Sequence, residues 1–255
     1  MNFDADRKGT GTAEWAEVTE NICRGCANNC LYCYAAHNAN RFNQRPRAKW
    51  EREEFTKRAA MTSYPARDGV VMFPSSHDIT PFNLDAYIRV AKLILGKGNK
   101  LLIVTKPRWG CVSRLITELD LWRSQILLRF TMGTINGKVS EYWEPGASCP
   151  LERGACLKSA FESRFATSVS IEPMLEGAQG AIAVVESCRP FVTDTIWIGK
   201  MNKARLRVGG EHALAVAITE QLQRDEEIMW LYRYFQDDPI IRWKDSIKEV
   251  VARAL

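Results

Sequence analysis

The chain is expected to be an α/β protein on a buried parallel sheet, because six short apolar runs alternate with stretches of helical periodicity. The runs span 16–22, 69–73, 100–105, 125–131, 166–171 and 193–198. They are too continuous in Val, Ile, Leu and Phe to be half-exposed, which is the pattern of strands covered on both faces. Helical periodicity falls at 84–95, 112–119, 152–163 and, less clearly, 49–60. Alternation of this kind implies parallel strands joined by right-handed crossovers.

After the sixth run the pattern changes. A loop rich in Lys, Arg and Gly (200–210) precedes one long helical stretch, 212–235, which Asp237-Asp238-Pro239 ends. A last amphipathic helix is expected over about 243–254. The natural division is 1–210 for the sheet-bearing unit and 211–255 for C-terminal helices packed on it.

At 255 residues, 46% apolar and 25% charged, the chain can bury one large core, and an α/β barrel would use nearly all of it. Its net charge of +5 leans toward an anionic partner without separating nucleic acid from small metabolites. The N-terminal stretch MNFDADRKGTG has no apolar signal core, and no later run approaches the roughly 20 residues needed to span a bilayer. A soluble cytoplasmic protein without membrane contacts is expected.

Eight cysteines could indicate a disulfide scaffold, but four of them, Cys23, Cys26, Cys30 and Cys33, fall in one short segment. Cys111, Cys149, Cys156 and Cys188 are scattered, with no spacing specific to a further cluster. Such clustering in a chain of this size points to metal binding in a reducing compartment. Thiolates select zinc, copper(I) or iron-sulfur clusters. Structural zinc motifs set a dozen or more residues between ligand pairs, whereas three separate Cys26 from Cys30, so the spacing favours an iron-sulfur loop. Four ligands would make a closed electron-transfer or zinc site. Three would leave one iron open for chemistry.

The motif Cys26-x3-Cys30-x2-Cys33, with Tyr32 just before the last cysteine, resembles the signature of the radical S-adenosylmethionine (SAM) superfamily. The wording GCANNCLYCYA is most similar to the spore photoproduct lyase group. Further segments occur in matching order: SSHD at 75–78, TKPR at 105–108, RFT at 129–131, WEPGAS at 143–148 and WIGKMN at 197–202. The resemblance covers about residues 17–202. It implies a partial (β/α)6 TIM-type barrel with a C-terminal helical extension, and a [4Fe-4S] cluster on Cys26, Cys30 and Cys33 with Cys23 a bystander. The fourth iron would chelate SAM, whose reductive cleavage yields a 5'-deoxyadenosyl radical, with flavodoxin or ferredoxin as the reductant.

Carried over by position, Ser76, Asp78, Lys106 and Thr131 would contact SAM, and the backbone around Ile198 and Gly199 would pack on its adenine. Tyr32 and Tyr34 would flank the cluster as possible hydrogen donors. Glu144, Glu172 and His37 are candidates for acid–base or substrate-orienting roles, ranked second to the common role of satisfying loop backbone groups. One departure matters. The lyases carry a hydrogen-donating cysteine just before the Ser/Asp segment, whereas this chain reads Phe73-Pro74-Ser75-Ser76. A serine O–H bond is too strong to replace it.

Two concentrations of positive charge bear on the substrate. Between Arg41 and Arg58, seven basic residues face three glutamates, with Phe42, Trp50 and Phe55 interleaved. The stretch reads as a solvated helix packing its rings on the barrel, or as a nucleic-acid surface. Lys200, Lys203, Arg205 and Arg207 follow the sixth strand on the face expected to hold the cluster, and suit an anionic substrate. The leading expectation is hydrogen abstraction from a nucleic-acid base or nucleotide. The alternatives are a small anionic metabolite or peptide substrate, and a non-catalytic four-cysteine iron-sulfur or zinc protein.

Overall fold

Seven strands, all parallel, follow one another in sequence order across one curled sheet in the computed structural model, which describes Phe3 and residues 9–254. Most of the N-terminal stretch considered above for a signal core lies outside the described residues. The strands are β1 (Val18–Thr19), β2 (Val70–Met72), β3 (Lys100–Thr105), β4 (Ile126–Thr131), β5 (Ala166–Ile171), β6 (Ile196–Ile198) and β7 (Ile241–Trp243). The result is a half-barrel with helices on its outer face, the architecture expected from the motif resemblance.

Alternate residues along each strand serve different cores. Leu101, Ile103, Leu128, Phe130, Val169 and Ile171 pack outward against the helices, while Met72, Leu102, Leu127 and Trp197 face the lumen with Trp15. Burial on both faces explains why the strands read as unbroken apolar runs. The outer layer consists of α2 (Leu84–Leu95), α3 (Trp109–Leu119), α5 (Pro150–Glu162) and α6 (Gly177–Cys188), with a short α4 (Gly137–Trp143) between β4 and α5. At the C-terminus, α9 (Asp225–Phe235) and α10 (Asp245–Ala254) join the same core through Ile228, Leu231, Ile247 and Val250.

Three expectations need correction. The segment 49–60 is not a helix: its backbone is recruited by the cysteine loop instead. Cys23–Arg24 pairs antiparallel with Glu54–Phe55, and Cys26 N–H donates to the Trp50 carbonyl. Second, the stretch 212–235 breaks into α8 (Ala213–Leu222) and α9. The break buries Gln223, whose amide accepts from Met201 N and donates to the Met174 carbonyl. Asp225, Glu226 and Glu227 then begin a new helix where its dipole favours acids. Third, Ile241–Trp243 adds a seventh strand, and the last helix starts at Asp245 rather than Trp243.

The lumen also holds buried charge. Lys244 donates to the Gly11 carbonyl, pairs with Glu14 at 2.7 Å and lies 4.1 Å from the centre of the Trp15 ring. This ties the 11–15 segment to the end of β7 across the open side of the half-barrel. Among the described residues, no helix is long and apolar enough to cross a membrane. Lys244→Met leaves the Glu14 carboxylate buried without its cation, and should cost about 3–5 kcal/mol of stability in urea denaturation.

Candidate active site

The C-terminal ends of β2 to β6 open into a cavity of about 440 Å³ lined by all three motif cysteines, Cys26, Cys30 and Cys33. Cys23 is not on its wall; it is buried in the outer core, where burial pushes its thiol up to about 12. The loop that carries the three cysteines makes two close approaches. Gly25 has φ +90°, and a Cβ there would meet the Arg52 carbonyl oxygen at 2.1 Å. At Gly146 a Cβ would meet the Ala27 carbonyl oxygen at 2.0 Å, so only glycine lets the 144–148 loop pack on the cysteine loop.

Hydrogen bonds fix the loop over the strand ends. Asp78 accepts from Asn28 Nδ2 at 2.7 Å, Ile79 N at 2.7 Å and Lys106 N at 3.0 Å, and from the Thr105 hydroxyl. Asn28 in turn accepts from Arg108 Nη2 at 2.9 Å. On the outer side, the Arg47 guanidinium donates to the Asn29 side chain and to the Asn29 and Cys30 carbonyls. Cys33 caps α1 (Tyr34–Arg41), its sulfur accepting from Ala36 N at 3.4 Å.

The thiols carry an electrostatic cost. Burial, with lesser contributions from neighbouring charges, pushes Cys30 up to about 12 and Cys26 well above its usual value. Lys106 opposes this at Cys30. Burial would drive Lys106 toward the neutral amine, but Cys30, Glu144 and Asp78 outweigh it and hold the ammonium charged. Glu144 is fully enclosed, and burial would favour its acid form. Lys106 at 3.7 Å, Arg153 at 2.5 Å and the Tyr32 hydroxyl reverse that and hold it below the usual carboxylate range.

The expected site residues distribute unevenly. Tyr32, Tyr34, Ser76, Asp78, Lys106, Thr131, Lys200 and Arg207 line the cavity with the cysteines. Glu144 lies behind Tyr32 and Lys106, off the cavity wall. Ile198 and Gly199 are not on it either: the Ile198 carbonyl accepts from Lys244 N, and Gly199 bonds to Ile171 and Met174. Arg205 turns out to Glu220 at 2.6 Å, and Lys203 sits exposed at the start of α7 (Ala204–Arg207). Glu172 lines the cavity, whereas His37 does not.

Sequence reasoning missed Asn28, Thr105 and Ser170 on the wall and Asn21 behind it. Asn21 accepts from Ser75 N and Ser76 N at 2.9 and 2.8 Å, holding the turn after β2. Ser170 Oγ is buried without a hydrogen-bond partner among the described residues, a donor left facing the cavity. Asn21 and Asn28 had one signal, their positions inside or beside the cysteine motif. Thr105 and Ser170 read as ordinary strand residues.

Superposition on solved structures gives the relationship. The fold is that of spore photoproduct lyase. A cysteine-to-alanine variant of that lyase solved with dinucleoside spore photoproduct matches with a TM-score of 0.56 and 15% identity, over 89% of this chain and 76% of the lyase. A doubly substituted lyase with bound AdoMet and dinucleoside spore photoproduct matches with a TM-score of 0.55, 15% identity and the same coverage. SuiB of Streptococcus suis, bound to S-adenosylmethionine, reaches a TM-score of 0.48 at 10% identity, over 69% of this chain and 38% of that one. No protein-family model matches the chain. Nor does any curated protein sequence.

His77, next to the tie at Asp78, provides a pH readout. Its Nε2 accepts from Ile22 N at 3.2 Å and its Nδ1 faces the Asp78 carbonyl at 2.9 Å, an arrangement that requires the neutral Nδ1–H tautomer. Burial lowers its pKa below the ordinary value of 6.5. The unfolded chain therefore binds the proton first as pH falls below 6.5, and folding stability declines from there down to the depressed folded value. Urea midpoints measured from about pH 8 to about pH 5 should fall for the native chain, and fall less steeply for His77→Gln.

Proposed function

We propose that the chain is a radical SAM enzyme that cleaves S-adenosylmethionine reductively and abstracts hydrogen from a nucleotide or nucleic-acid base. The observation that carries this reading is the selection among cysteines: Cys26, Cys30 and Cys33 share one cavity wall, and Cys23 is turned into the core. Among the described residues, no group of three or more His, Cys, Asp or Glu side chains converges closely enough to hold a single metal ion. Three thiols spaced around a cavity suit a larger cluster with one open position.

The donor set fits such a group. When bound there, a [4Fe-4S] cluster would supply the electron that splits the SAM sulfonium into methionine and a 5'-deoxyadenosyl radical. The chain's own groups do the rest. Cys26, Cys30 and Cys33 would hold three irons, giving up their protons on ligation. Lys106, kept charged beside Cys30, offsets the negative charge of the thiolates and can face a carboxylate in the cavity. Ser76, Thr131 and the unpartnered Ser170 hydroxyl offer polar contacts on the same wall. Asp78 positions the loop, since its oxygens are already committed to four donors.

Glu144 acts through Tyr32 and Lys106 as a positioning residue. Of the two tyrosines, Tyr34 is the better candidate for returning a hydrogen atom. Its ring lines the cavity and its hydroxyl donates only to the Ser75 carbonyl, whereas the Tyr32 hydroxyl is bound to buried Glu144. Lys200 and Arg207 supply positive charge on the wall for an anionic substrate, and an external one-electron donor such as flavodoxin or ferredoxin is required.

Anaerobically reconstituted protein given dithionite and SAM should form 5'-deoxyadenosine; a fully loaded cluster that forms none defeats the reading. Alanine at Cys26, Cys30 or Cys33 should abolish both the iron-sulfur absorbance and that product. Cys23→Ala should retain both, and loss of the cluster in that variant would point to four-thiolate ligation instead.

A further inference from the structure

A second cavity of about 330 Å³ shares one wall residue, Arg207, with the first. It lies between the outer side of the cysteine loop at Asn29, the α1 region at His37, Asn40 and Arg47, and the segment running from Arg207 to His212. Four of these side chains can carry positive charge, against one carboxylate, Glu211.

The commitments of those cations differ. Arg47 spends three of its five donors on the cysteine loop, at the Asn29 side chain and the Asn29 and Cys30 carbonyls. His212 has Nδ1 at 2.9 Å from the Tyr142 hydroxyl and Nε2 at 3.8 Å from Glu211. Arg207 is half-buried, yet its guanidinium makes no hydrogen bond or ion pair among the described residues; Glu172, Cys33 and Tyr34 act on it only through space. The His37 ring likewise has no hydrogen-bond partner there. Withdrawing a five-donor guanidinium from water without an acceptor is unfavourable, and an anion bound between the two cavities removes that cost.

We propose that the second cavity is a phosphate subsite, in which Arg207 and His37 bind a phosphate of the substrate whose reacting part occupies the first cavity. The inference rests on the reading of the first cavity given above and names the substrate class for it. Phosphate is favoured over carboxylate by the arrangement of donors. Arg207 alone satisfies the two oxygens of a carboxylate, whereas His37 and the Asn40 amide on a separate element add donors for further oxygens. Arg47, held by the loop, adds charge with its Nε–H and one Nη1–H uncommitted among the described residues. The phosphate can be the terminal monoester of a nucleotide or an internal phosphodiester of a nucleic acid.

Calorimetric titration of the reconstituted full-length protein with inorganic phosphate, a nucleoside, its 5'-monophosphate and a dinucleotide tests this. Removing the phosphate from the ligand should weaken binding roughly tenfold or more. Arg207→Gln and His37→Gln should each weaken the phosphate-bearing ligands while leaving nucleoside affinity unchanged, and Arg205→Gln should alter neither. Tighter binding of the monophosphate would identify a free nucleotide as the source, and tighter binding of the dinucleotide an internal phosphodiester.

Equal affinity for nucleoside and nucleotide, no binding of any phosphate-bearing ligand, or an Arg207→Gln loss shared equally by the nucleoside would each overturn the subsite. The ligand-side comparison needs no variant, so misfolding of a substituted chain cannot hide the answer. Formation of 5'-deoxyadenosine on the same preparation reports the first cavity separately. Its absence alongside phosphate discrimination sinks the radical reading and leaves the subsite standing; the reverse pattern sinks the subsite alone.

Discussion

The Asp78 carboxylate joins the cysteine loop to the barrel, and the geometry of the cavity depends on it. A carboxylate has about four acceptor positions, and Asp78 fills them with donors from the cysteine loop, its own turn and the end of β3. Asn28 extends the tie: its other amide atom accepts from Arg108, which also donates to the Gly146 carbonyl, while Gly146 N–H donates to the Asn28 carbonyl. Four segments distant in sequence are thereby bound into one rim. Removing Asp78 would leave Asn28, Thr105 and the Lys106 amide without acceptors in a buried place, so the tie is structural before it is chemical.

A second network sets the charge of that rim. Glu144 is enclosed between Lys106, Arg153 and Tyr32, and Arg153 is itself almost fully buried, reaching the Thr131 carbonyl at 3.2 Å. Two buried cations, Lys106 and Arg153, face Glu144 here, and Asp78 adds a second carboxylate that acts on Cys30 and Lys106. Burial keeps the Cys30 thiol protonated even with Lys106 opposing it, pushed up to about 12, whereas Cys30, Glu144 and Asp78 together outweigh burial at Lys106 and hold its ammonium charged. Loading a cluster on these cysteines has to overcome their burial, and Lys106 reduces that cost at Cys30.

Much of this was legible in the sequence, and what was not has physical causes. The strands at 100–105 and 166–171 match their expected bounds because burial on both faces favours runs rich in β-branched and aliphatic residues, which in the second are interrupted by Ser168 and Ser170. The helix expected at 49–60 fails because its backbone donors and acceptors are taken by a loop some thirty residues earlier, and periodicity carries no information about a distant partner. Ile241–Trp243 was hidden by its length, three residues with a central arginine. In the site, Ser76, Asp78 and Lys106 from recognisable segments fell on the cavity wall, whereas Glu144, Ile198 and Gly199 from such segments did not. Charge without such a segment was a weaker guide: Arg205 and Arg207 differ by two positions on one short helix, and only Arg207 faces inward.

The open side of the half-barrel shapes what the cavity can take. Thr10, Gly11, Thr12 and Trp15 form part of the cavity wall, and Lys244 anchors their segment through the Gly11 carbonyl and Glu14. Trp15 stands edge-on to Trp197 at 5.9 Å, with Lys244 and Arg129 both within cation–π range of it, so that wall is rigid and uncharged where it meets the cavity. Lys200, Arg207, Tyr34 and Cys33 also line the cavity, with Glu172 among the groups that act on Arg207. A molecule held in this space meets apolar and hydroxyl groups, the cations Lys106, Lys200 and Arg207, and the Glu172 carboxylate. Among the described residues Arg207 alone lines both this cavity and the second one, so a ligand that occupies both lies against its side chain.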